Sequence, residues 1–423
     1  MERVKATYLI ETPLEVEKAA ANLAGWQSGG TFVTVPGETD ELKNRFAARV
    51  EKIENLDKVP EPSLPGQIIG NGKFKRARVT VSWSIENFGA NIPALISTIQ
   101  GILYDFPQFT GLKLDDFELP DSYTEHFRGP AFGLKGTQKL AGVEAGRPMI
   151  GTIIKPSVGL TPEYTADLVK TLAEAGIDFI KDDEIMTSTA NSPFAIRVEK
   201  VMKVINDFSE KMGKKIMYAF NITGDLDTME ANYEKVLRAG GICAMLSINS
   251  VGWAGVKKVC DWGELSIHGH RNGWGMLNRH PWLGLNFPAY SKLWRLAGVD
   301  QMHVNGIDCK FWESNDSVIR SIKSCLTPFL NNESVLPVIG SGQWGGQVFE
   351  TFKRTQTTDV LYLAGGGILA HPAGLAGGVK ALHQDLYCAV EANSLEDSAK
   401  MCTEFGESVE YFVTVDYWLK STK

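Results

Sequence analysis

The sequence predicts an α/β protein in which a ferredoxin-like α+β sandwich, over residues 1–128, precedes a (β/α)8 barrel of the TIM type with C-terminal helices, over residues 129–423. The first roughly 120 residues follow the order strand, helix, strand, strand, helix, strand, which is typical of the sandwich. Short apolar strands then alternate with amphipathic helices, and eight such units in roughly 245 residues fit a closed barrel. A doubly wound open sheet is the alternative for this second region.

The N-terminal elements are predicted from local signals. The segment "TPLEVEKAAANLAG" carries a capping box and a closing glycine, which indicate a helix. "RARVTVSWSIEN" places apolar side chains on one face with a period of two, the pattern of a half-buried antiparallel strand. The predicted elements are a strand at 5–11, a helix at 12–25, an extended segment at 31–37, a strand at 76–87, a helix at 91–106 and a strand at 111–120.

The barrel strands are recognised by the alternation and by glycine at the helix ends. Three predicted helices finish in "AEAGID", "LRAGGI" and "RLAGVD", where glycine supplies a left-handed cap and a strand begins at once. The chain from about residue 374 is rich in Ala, Leu, Glu and Lys and predicts closing helices. The eight predicted strands are 151–155, 178–181, 215–221, 242–247, 264–269, 300–304, 335–340 and 359–365.

The composition limits the classes of partner that the protein can bind. A formal charge of −7 and a pI near 5.6 argue against nucleic acid or an anionic membrane, so an anionic ligand must be held by local groups. The six cysteines show no CxxC pair and predict free thiols in a reducing cytoplasm. No apolar signal core or membrane-span-length segment occurs, and we expect a cytoplasmic protein.

Polar residues gather where the predicted strands end. In a (β/α)8 barrel the C-terminal strand ends line the active site. The proton carriers, oxygen ligands and glycines found there are Lys155 after the first strand, Lys181, Asp183 and Glu184 after the second, Asn221 after the third, His268, His270 and Arg271 after the fifth, His303 and Lys310 after the sixth, Ser341 and Gly342 after the seventh, and Gly365, Gly366 and Gly367 after the eighth.

The stretch "GIDFIKDDE" is the most informative of these. Lys181 and Asp183 lie on one face of an extended chain, and Asp183 and Glu184 are hard oxygen ligands suited to Mg²⁺. A desolvated lysine can lose its proton and react with an electrophile. If CO₂ carbamylated Lys181, its charge would invert and it would supply a third oxygen ligand. The alternative is a solvated charge run after a strand.

The remaining polar residues suit acid–base and phosphate chemistry. Lys155 could be a general acid or base with a lowered pKa, or a lysine at the barrel rim that keeps its ammonium in water. His270 and His303 could orient substrate hydroxyls or exchange protons near pH 7, or be structural. The glycine clusters after strands seven and eight could bind phosphate through backbone N–H groups, or form tight turns.

These segments together resemble the large chain of RuBisCO over the whole length. "GTIIKP", "GIDFIKDDE", "HGHR", "MHVNG" followed by Lys310, "SG" and "GGG" occur in the family's order. The resemblance implies Mg²⁺ held by Asp183, Glu184 and a carbamylated Lys181, with Lys155 as the enolisation base. It also implies a homodimer or larger oligomer in which the neighbour's N-terminal domain completes each site. Substrate and phosphate contacts are implied for His270, Arg271, His303, Lys310 on a mobile loop, Ser341, Gly342, Gly365 and Gly366, and Thr31 is kept.

The chain also departs from the carboxylases. Ser157 stands where they have a second lysine, and Ile153 where they have a threonine. Trp26, Phe32 and Ile102 replace a glutamate, a tryptophan and an asparagine of their N-terminal domain. The residues that handle a second phosphate and the added CO₂ are largely lost, and the chain resembles a RuBisCO-like protein of form IV.

The reaction is narrowed by the sixth loop. "HVNGIDCKFWES" resembles the RuBisCO-like proteins that act on 3-oxo-isoapionate 4-phosphate, which implies decarboxylation, or carboxyl transfer with hydrolysis, of a small phosphorylated keto sugar acid. The first alternative is an enolase or isomerase on a 5-methylthio-sugar 1-phosphate of methionine salvage, but no lysine lies between Lys75 and Lys113 to supply its base. The second is a non-catalytic barrel that binds or regulates.

Overall fold

The computed structural model describes residues 2–29, 35–69 and 72–391. The chain divides into two compact units, Met1–Arg128 with Gly273–Ala297, and Gly129–Asn272 with Gly298–Lys423. Residues 273–297 are predicted from the sequence to belong to the barrel domain, whereas in the structure they belong to the first unit. Among the described residues, no helix has both the length and the apolar character needed to cross a bilayer.

The elements are numbered along the chain. The strands are β1 (Arg3–Thr12), β2 (Arg49–Val59), β3 (Phe74–Ser84), β4 (Gly111–Glu118), β5 (Met149–Ile153), β6 (Phe179–Lys181), β7 (Met217–Asn221), β8 (Cys243–Ser247), β9 (Ser266–His270), β10 (Leu283–Leu285), β11 (Gln301–Asn305), β12 (Leu336–Gly340) and β13 (Leu361–Leu363). The helices are α1 (Val16–Trp26), α2 (Asp40–Phe46), α3 (Ile92–Ile99), α4 (Asp121–Thr124), α5 (Gly133–Leu140), α6 (Pro162–Glu174), α7 (Phe194–Met212), α8 (Leu226–Arg238), α9 (Ile248–Val251), α10 (Trp253–Trp262), α11 (Trp274–Asn278), α12 (Phe287–Ala297), α13 (Asn315–Leu326), α14 (Val348–Thr355), α15 (Gly366–Leu369) and α16 (Gly374–Glu391).

The first unit is built on a five-stranded sheet in the order β10-β4-β1-β3-β2. Strand β1 pairs antiparallel with β3 and β4, and β10 joins β4 in parallel. Helix α1 packs against β2 and β3, and α12 packs against β4. The predicted apolar face of β3 is confirmed, because Ala77, Val79, Val81 and Trp83 are fully buried. Lys113 on β4 donates to the carbonyls of Asn278 and His280, both at 2.8 Å, and so ties the segment 273–297 to the sheet.

The second strand of this sheet was not predicted. The extended segment expected at 31–37 lies mostly outside the described residues, and Val35 to Gly37 are not in a strand. The strand is instead β2, whose sequence RVEKIENLDKV is mostly exposed and lacks alternation. As an edge strand it has one backbone neighbour, β3, and a polar surface there discourages pairing with other chains.

The second unit contains the predicted closed barrel, with the strand order β11-β12-β13-β5-β6-β7-β8-β9. Neighbouring strands are parallel throughout. The interior is a packed apolar core that includes Met149, Phe179, Met217, Leu336 and Leu361. Eight parallel strands around such a core place all their C-terminal ends, and therefore the polar residues that follow them, at one face of the barrel.

Two buried carboxylates fasten the opposite, N-terminal face. Asp178 accepts from the backbone N–H of Ile150 and from Arg147 and Lys214. Asp300 accepts from the backbone N–H groups of Phe132, Gly133 and Ile267 at 2.6–2.8 Å. These acids have a full set of partners and are structural, which leaves the C-terminal face for chemistry. Of the C-terminal helices predicted from about residue 374, the structure describes α16, and the chain after Glu391 lies outside the described residues.

Candidate active site

Lys155 and Asp183 meet at the C-terminal face. Lys155 follows β5 by two residues, and its Nζ lies 2.5 Å from Asp183 Oδ2 and 2.7 Å from Ser157 Oγ. The lysine side chain is 46% exposed and that of Asp183 is 4% exposed. Burial acts to raise the pKa of Asp183, but the hydrogen bond from Lys155, the Ile185 N–H and the nearby lysine charges hold it below the usual value. Asp183 is therefore a carboxylate that stays charged while facing a cation.

Lys181 is the last residue of β6 and is buried. Its Nζ donates to the Asp182 carbonyl at 2.9 Å and lies 3.6 Å from Met245 Sδ. Burial lowers the pKa of Lys181 to about 8, against the opposing charges of the three carboxylates that follow it. An amine with this pKa is partly unprotonated near neutral pH, and the unprotonated form is the one that reacts with CO₂.

The first acid of the KDDE sequence, Asp182, is structural. Asp182 is fully buried and accepts from the Tyr218 hydroxyl at 2.6 Å, the Asn221 N–H at 2.9 Å and Arg197 at 3.3 Å. Each of these partners is itself buried. Asp182 thus holds the loop after β6 against β7 and α7. The next residue, Asp183, instead faces Lys155.

Asn221 is a positioning residue that the sequence analysis placed at a strand end without a role. Its amide nitrogen lies 3.3, 3.1 and 3.0 Å from the carbonyl oxygens of Asp183, Glu184 and Met186. Its oxygen accepts from the Thr223 N–H. A strand-end asparagine preceding a loop was the available signal, but its partners depend on how β6 and β7 are placed. Asn221 fixes the backbone that carries both candidate metal-binding carboxylates.

Three buried histidines lie beside this loop. The rings of His270 and His303 are 4.7 Å apart between centroids, and His268 lies 6.5 and 6.3 Å from them. His270 Nε2 is 3.6 Å from Glu184 Oε2. Burial, with the charge of Lys181, lowers the pKa of all three, that of His268 to about 3. Because their pKa values are lowered, the three imidazoles are neutral near pH 7. Neutral imidazoles are suited to orient hydroxyl groups.

The backbone shapes the position of His303. An ideal Cβ on Gly340, the last residue of β12, would lie 2.7 Å from His303 Nε2. The imidazole of His303 therefore packs directly against the backbone of Gly340, in space that any side chain there would occupy. His268 differs in being held by a side chain, because its Nδ1 is 3.2 Å from Gln301 Oε1.

Asp183 and Glu184 fit a divalent cation if a carbamate on Lys181 supplies a third oxygen ligand. In the described part of the chain, no group of three or more His, Cys, Asp or Glu side chains is placed to hold a metal ion. Asp183 and Glu184 supply two carboxylates, and a carbamate on Lys181 would supply the third oxygen. Mg²⁺ takes few protein ligands and keeps positions for substrate and water. The buried amine with its lowered pKa agrees with this donor set.

The loops after β12 and β13 carry the predicted phosphate contacts. Ser341 and Gly342 have φ of +74° and +86°. The Lys310 N–H donates to the Ser341 carbonyl, and the aliphatic part of the Lys310 side chain lies against Gly342. Gly365 lies against Ile153, and Gly366 has open space where a Cβ would stand. Lys310 therefore lies beside the loop after β12.

Arg271 has a partner that the sequence analysis missed. Its Nη2 lies 3.0 Å from Oε2 of Glu313, a residue in the same loop as Lys310. Asn305 donates to the same oxygen at 2.6 Å, and Ser341 Oγ donates to Asn305 Oδ1 at 2.7 Å. Pairings between the ends of three different strands leave no periodic signal in a sequence.

Four N-terminal positions were also singled out in the sequence. Thr31 and Phe32 lie outside the described residues. Trp26 and Ile102 are exposed within the first unit. A role for Thr31 stays a prediction.

A closed parallel barrel with lysines, carboxylates and histidines gathered at its C-terminal strand ends defines a (β/α)8-barrel protein with an acid–base site. Family models described as the N-terminal and catalytic domains of the ribulose bisphosphate carboxylase large chain match residues 4–123 and 136–412. The chain belongs to the RuBisCO large-chain family. The predicted resemblance is thereby confirmed.

Similar proteins narrow the position within the family. The 3-oxo-isoapionate-4-phosphate transcarboxylase/hydrolase of Xanthobacter autotrophicus is 50% identical over 401 residues, 94% of this chain and 96% of that protein. The 3-oxo-isoapionate-4-phosphate decarboxylase of Rhizobium rhizogenes is 45% identical over 412 residues, 97% of this chain and 98% of that protein. The crystal structure of a rubisco-like protein from Burkholderia fungorum has a TM-score of 0.90 and 42% identity, covering 97% of this chain and 100% of the other.

Proposed function

We propose that this chain is a Mg²⁺-dependent RuBisCO-like enzyme that removes or transfers the carboxyl group of 3-oxo-isoapionate 4-phosphate, and that it is not a ribulose-bisphosphate carboxylase. The observation that carries the proposal is the contact of Lys155 with Asp183 beside the buried Lys181. Relatives named for this substrate, 50% and 45% identical over nearly the whole chain, support the choice of substrate.

The metal would be held by Asp183, Glu184 and a carbamate on Lys181. When bound, it would supply positive charge to two neighbouring oxygens of the substrate. The chain's own contribution is placement, because Asn221 and Asp182 fix the loop that carries both carboxylates. Lys155 in this structure meets the charge of Asp183 with its own ammonium, and a metal there would release the lysine for proton transfer.

Loss of the carboxyl group needs a place for electrons and a source of a proton. The bond between the carboxylate and its neighbouring carbon breaks, CO₂ leaves, and the electron pair passes to the adjacent keto oxygen as an enediolate. A proton must then reach the carbon that lost the carboxylate. Lys155 is suited to deliver it, because its side chain is 46% exposed and can exchange protons with solvent once it is released from Asp183.

The other residues would hold the substrate. Gly365, Gly366, Ser341 and Gly342 present backbone at the strand ends where barrels often bind phosphate. His270 and His303, being neutral, would orient hydroxyl groups, and Lys310 would approach from its loop. We further propose a homodimer or larger assembly and a cytoplasmic location, on the family resemblance and on the predicted free thiols.

The enolase alternative predicts different products. Lys113 is 3% exposed, and its amine donates to two carbonyls, which suits a structural role and not that of a base. A salvage-type enolase would isomerise a methylthio-sugar phosphate without releasing CO₂. The two reactions are therefore separated by their products.

The test is to incubate the protein with 3-oxo-isoapionate 4-phosphate that carries ¹³C in its carboxyl group, together with Mg²⁺ and bicarbonate. Loss of the carboxyl group is then measured as ¹³CO₂ or as a labelled carboxylated product. We expect Lys181→Ala to abolish turnover. Lys215→Ala is the matched control, because that lysine donates to the Gly240 carbonyl and lies before β7, at the opposite face. Retention of the label in the substrate, with isomerisation of a methylthio-sugar phosphate, would overturn the proposal in favour of the enolase.

A further inference from the structure

A buried ion pair links the end of β9 to the loop after β11. The Arg271 and Glu313 side chains are 4% and 0% exposed, and their nearest atoms are 3.0 Å apart. Both oxygens of Glu313 are engaged, because Ser317 Oγ donates to Oε1 at 2.7 Å while Arg271 and Asn305 donate to Oε2. The carboxylate is therefore fixed in orientation as well as buried.

The network continues to a predicted phosphate contact. Ser341 Oγ donates to Asn305 Oδ1 at 2.7 Å, and Asn305 donates to Glu313 at 2.6 Å. Two groups expected to bind an anion, the Arg271 guanidinium and the Ser341 hydroxyl, are thus joined through one carboxylate. The charge of Arg271 is cancelled at a distance where Coulomb attraction is strong and water is excluded.

An incoming phosphate at Arg271 would meet this carboxylate. To bind there it would have to share the guanidinium with Glu313, bringing two negative groups together, or displace Glu313 and leave a buried charge without its partner. Both outcomes are unfavourable in a site with little solvent. A hydroxyl group adds no negative charge and avoids both.

We propose that Glu313 is a specificity-determining residue that removes one anion subsite and restricts the site to a substrate with a single phosphate. This inference rests on the proposed function, in which the substrate is a keto-sugar acid monophosphate. The remaining phosphate is carried by the loops with Gly365 and Gly366. Glu313 accordingly selects against sugar bisphosphates by neutralising Arg271.

The test compares two probes, a pentulose 1,5-bisphosphate and the matching 5-monophosphate, by calorimetry with Mg²⁺. The wild-type protein should bind both with dissociation constants within about threefold of each other. Glu313→Gln keeps the size of the side chain and an oxygen for Arg271 but removes the charge. In this variant the bisphosphate should bind on the order of tenfold more tightly, in a salt-dependent way, with the monophosphate unchanged.

Two controls isolate the charge. Ser317→Ala removes a hydrogen bond to Glu313 but leaves the carboxylate, and should bind the two probes as the wild-type protein does. Arg271→Met combined with Glu313→Gln should lose the gain for the bisphosphate. Melting curves establish that each variant is folded.

The proposal is overturned if a folded Glu313→Gln protein shows the wild-type ratio of affinities. It is equally overturned if the wild-type protein binds the bisphosphate tenfold or more tightly than the monophosphate, a measurement that needs no variant. Because these are binding experiments, their outcome is separate from the release of carboxyl label, and either hypothesis can fail while the other stands.

Discussion

Replacement of Asn221 by alanine tests how the candidate metal loop is held. The amide nitrogen has two hydrogens for the carbonyls of Asp183, Glu184 and Met186, at 3.0–3.3 Å. Counting two bonds from the amide nitrogen and the one that the side-chain oxygen accepts from the Thr223 N–H, at about 1 kcal/mol each, gives a loss of about 3 kcal/mol of unfolding free energy. For a domain of this size that corresponds to a fall in Tm of about 6–12 °C. Asn206→Ala is the control, because its amide donates to the Ala239 carbonyl away from the loop.

The Mg²⁺ affinity of Asn221→Ala shows whether Asn221 positions the metal-binding loop or only stabilises the fold. With the loop released, the carboxylates of Asp183 and Glu184 lose their fixed spacing, and we expect the Mg²⁺ affinity to fall on the order of tenfold. Titration of Mg²⁺ against each variant in bicarbonate buffer, followed by calorimetry, measures this. The positioning role is refuted if Asn221→Ala melts earlier but binds Mg²⁺ as tightly as Asn206→Ala.

Three further results are expected. Mg²⁺ with bicarbonate should raise Tm, by the equivalent of about 2.7 kcal/mol at 100 times the dissociation constant, and Lys181→Ala should remove the bicarbonate dependence; an identical rise in the variant would exclude the carbamate. Lys155→Met should abolish incorporation of solvent deuterium at the carbon that loses its carboxylate, and continued incorporation would reassign the acid. Burial acts to raise the pKa of Asp178, but Arg147 and Lys214 hold it below the ordinary 3.8. Its stabilising effect is thus present above that pH and lost as the pH falls through the lower folded value, so the Tm deficit of Asp178→Asn should shrink below about pH 4, and a deficit independent of pH would contradict this.

The barrel could be predicted because its units repeat a short apolar strand followed by a helix. A capping glycine ends three of the predicted helices, and polar residues such as Lys181 and His303 lie at the strand ends. Those signals are local, and the closed sheet was confirmed. Strand β2 was not predicted, because polar side chains lie on both of its faces and leave no alternating pattern. The segment 273–297 escaped prediction because its pairing with β4 joins residues far apart in sequence.

The parts of the site that could not be predicted are those that act through another residue. The period of two separates Asp183, which shares a face with Lys181, from Asp182. The partners that hold Asp182, Tyr218 and Arg197, come from other elements and could not be predicted from the sequence. Glu313 is likewise an ordinary loop glutamate until β9 brings Arg271 to it.

Gly340 has no functional group, yet the imidazole of His303 lies where its side chain would be. Even the smallest substitution, to alanine, would push a ring that is proposed to steer the substrate. Directed-evolution libraries that seek new sugar acids should therefore leave this codon unvaried.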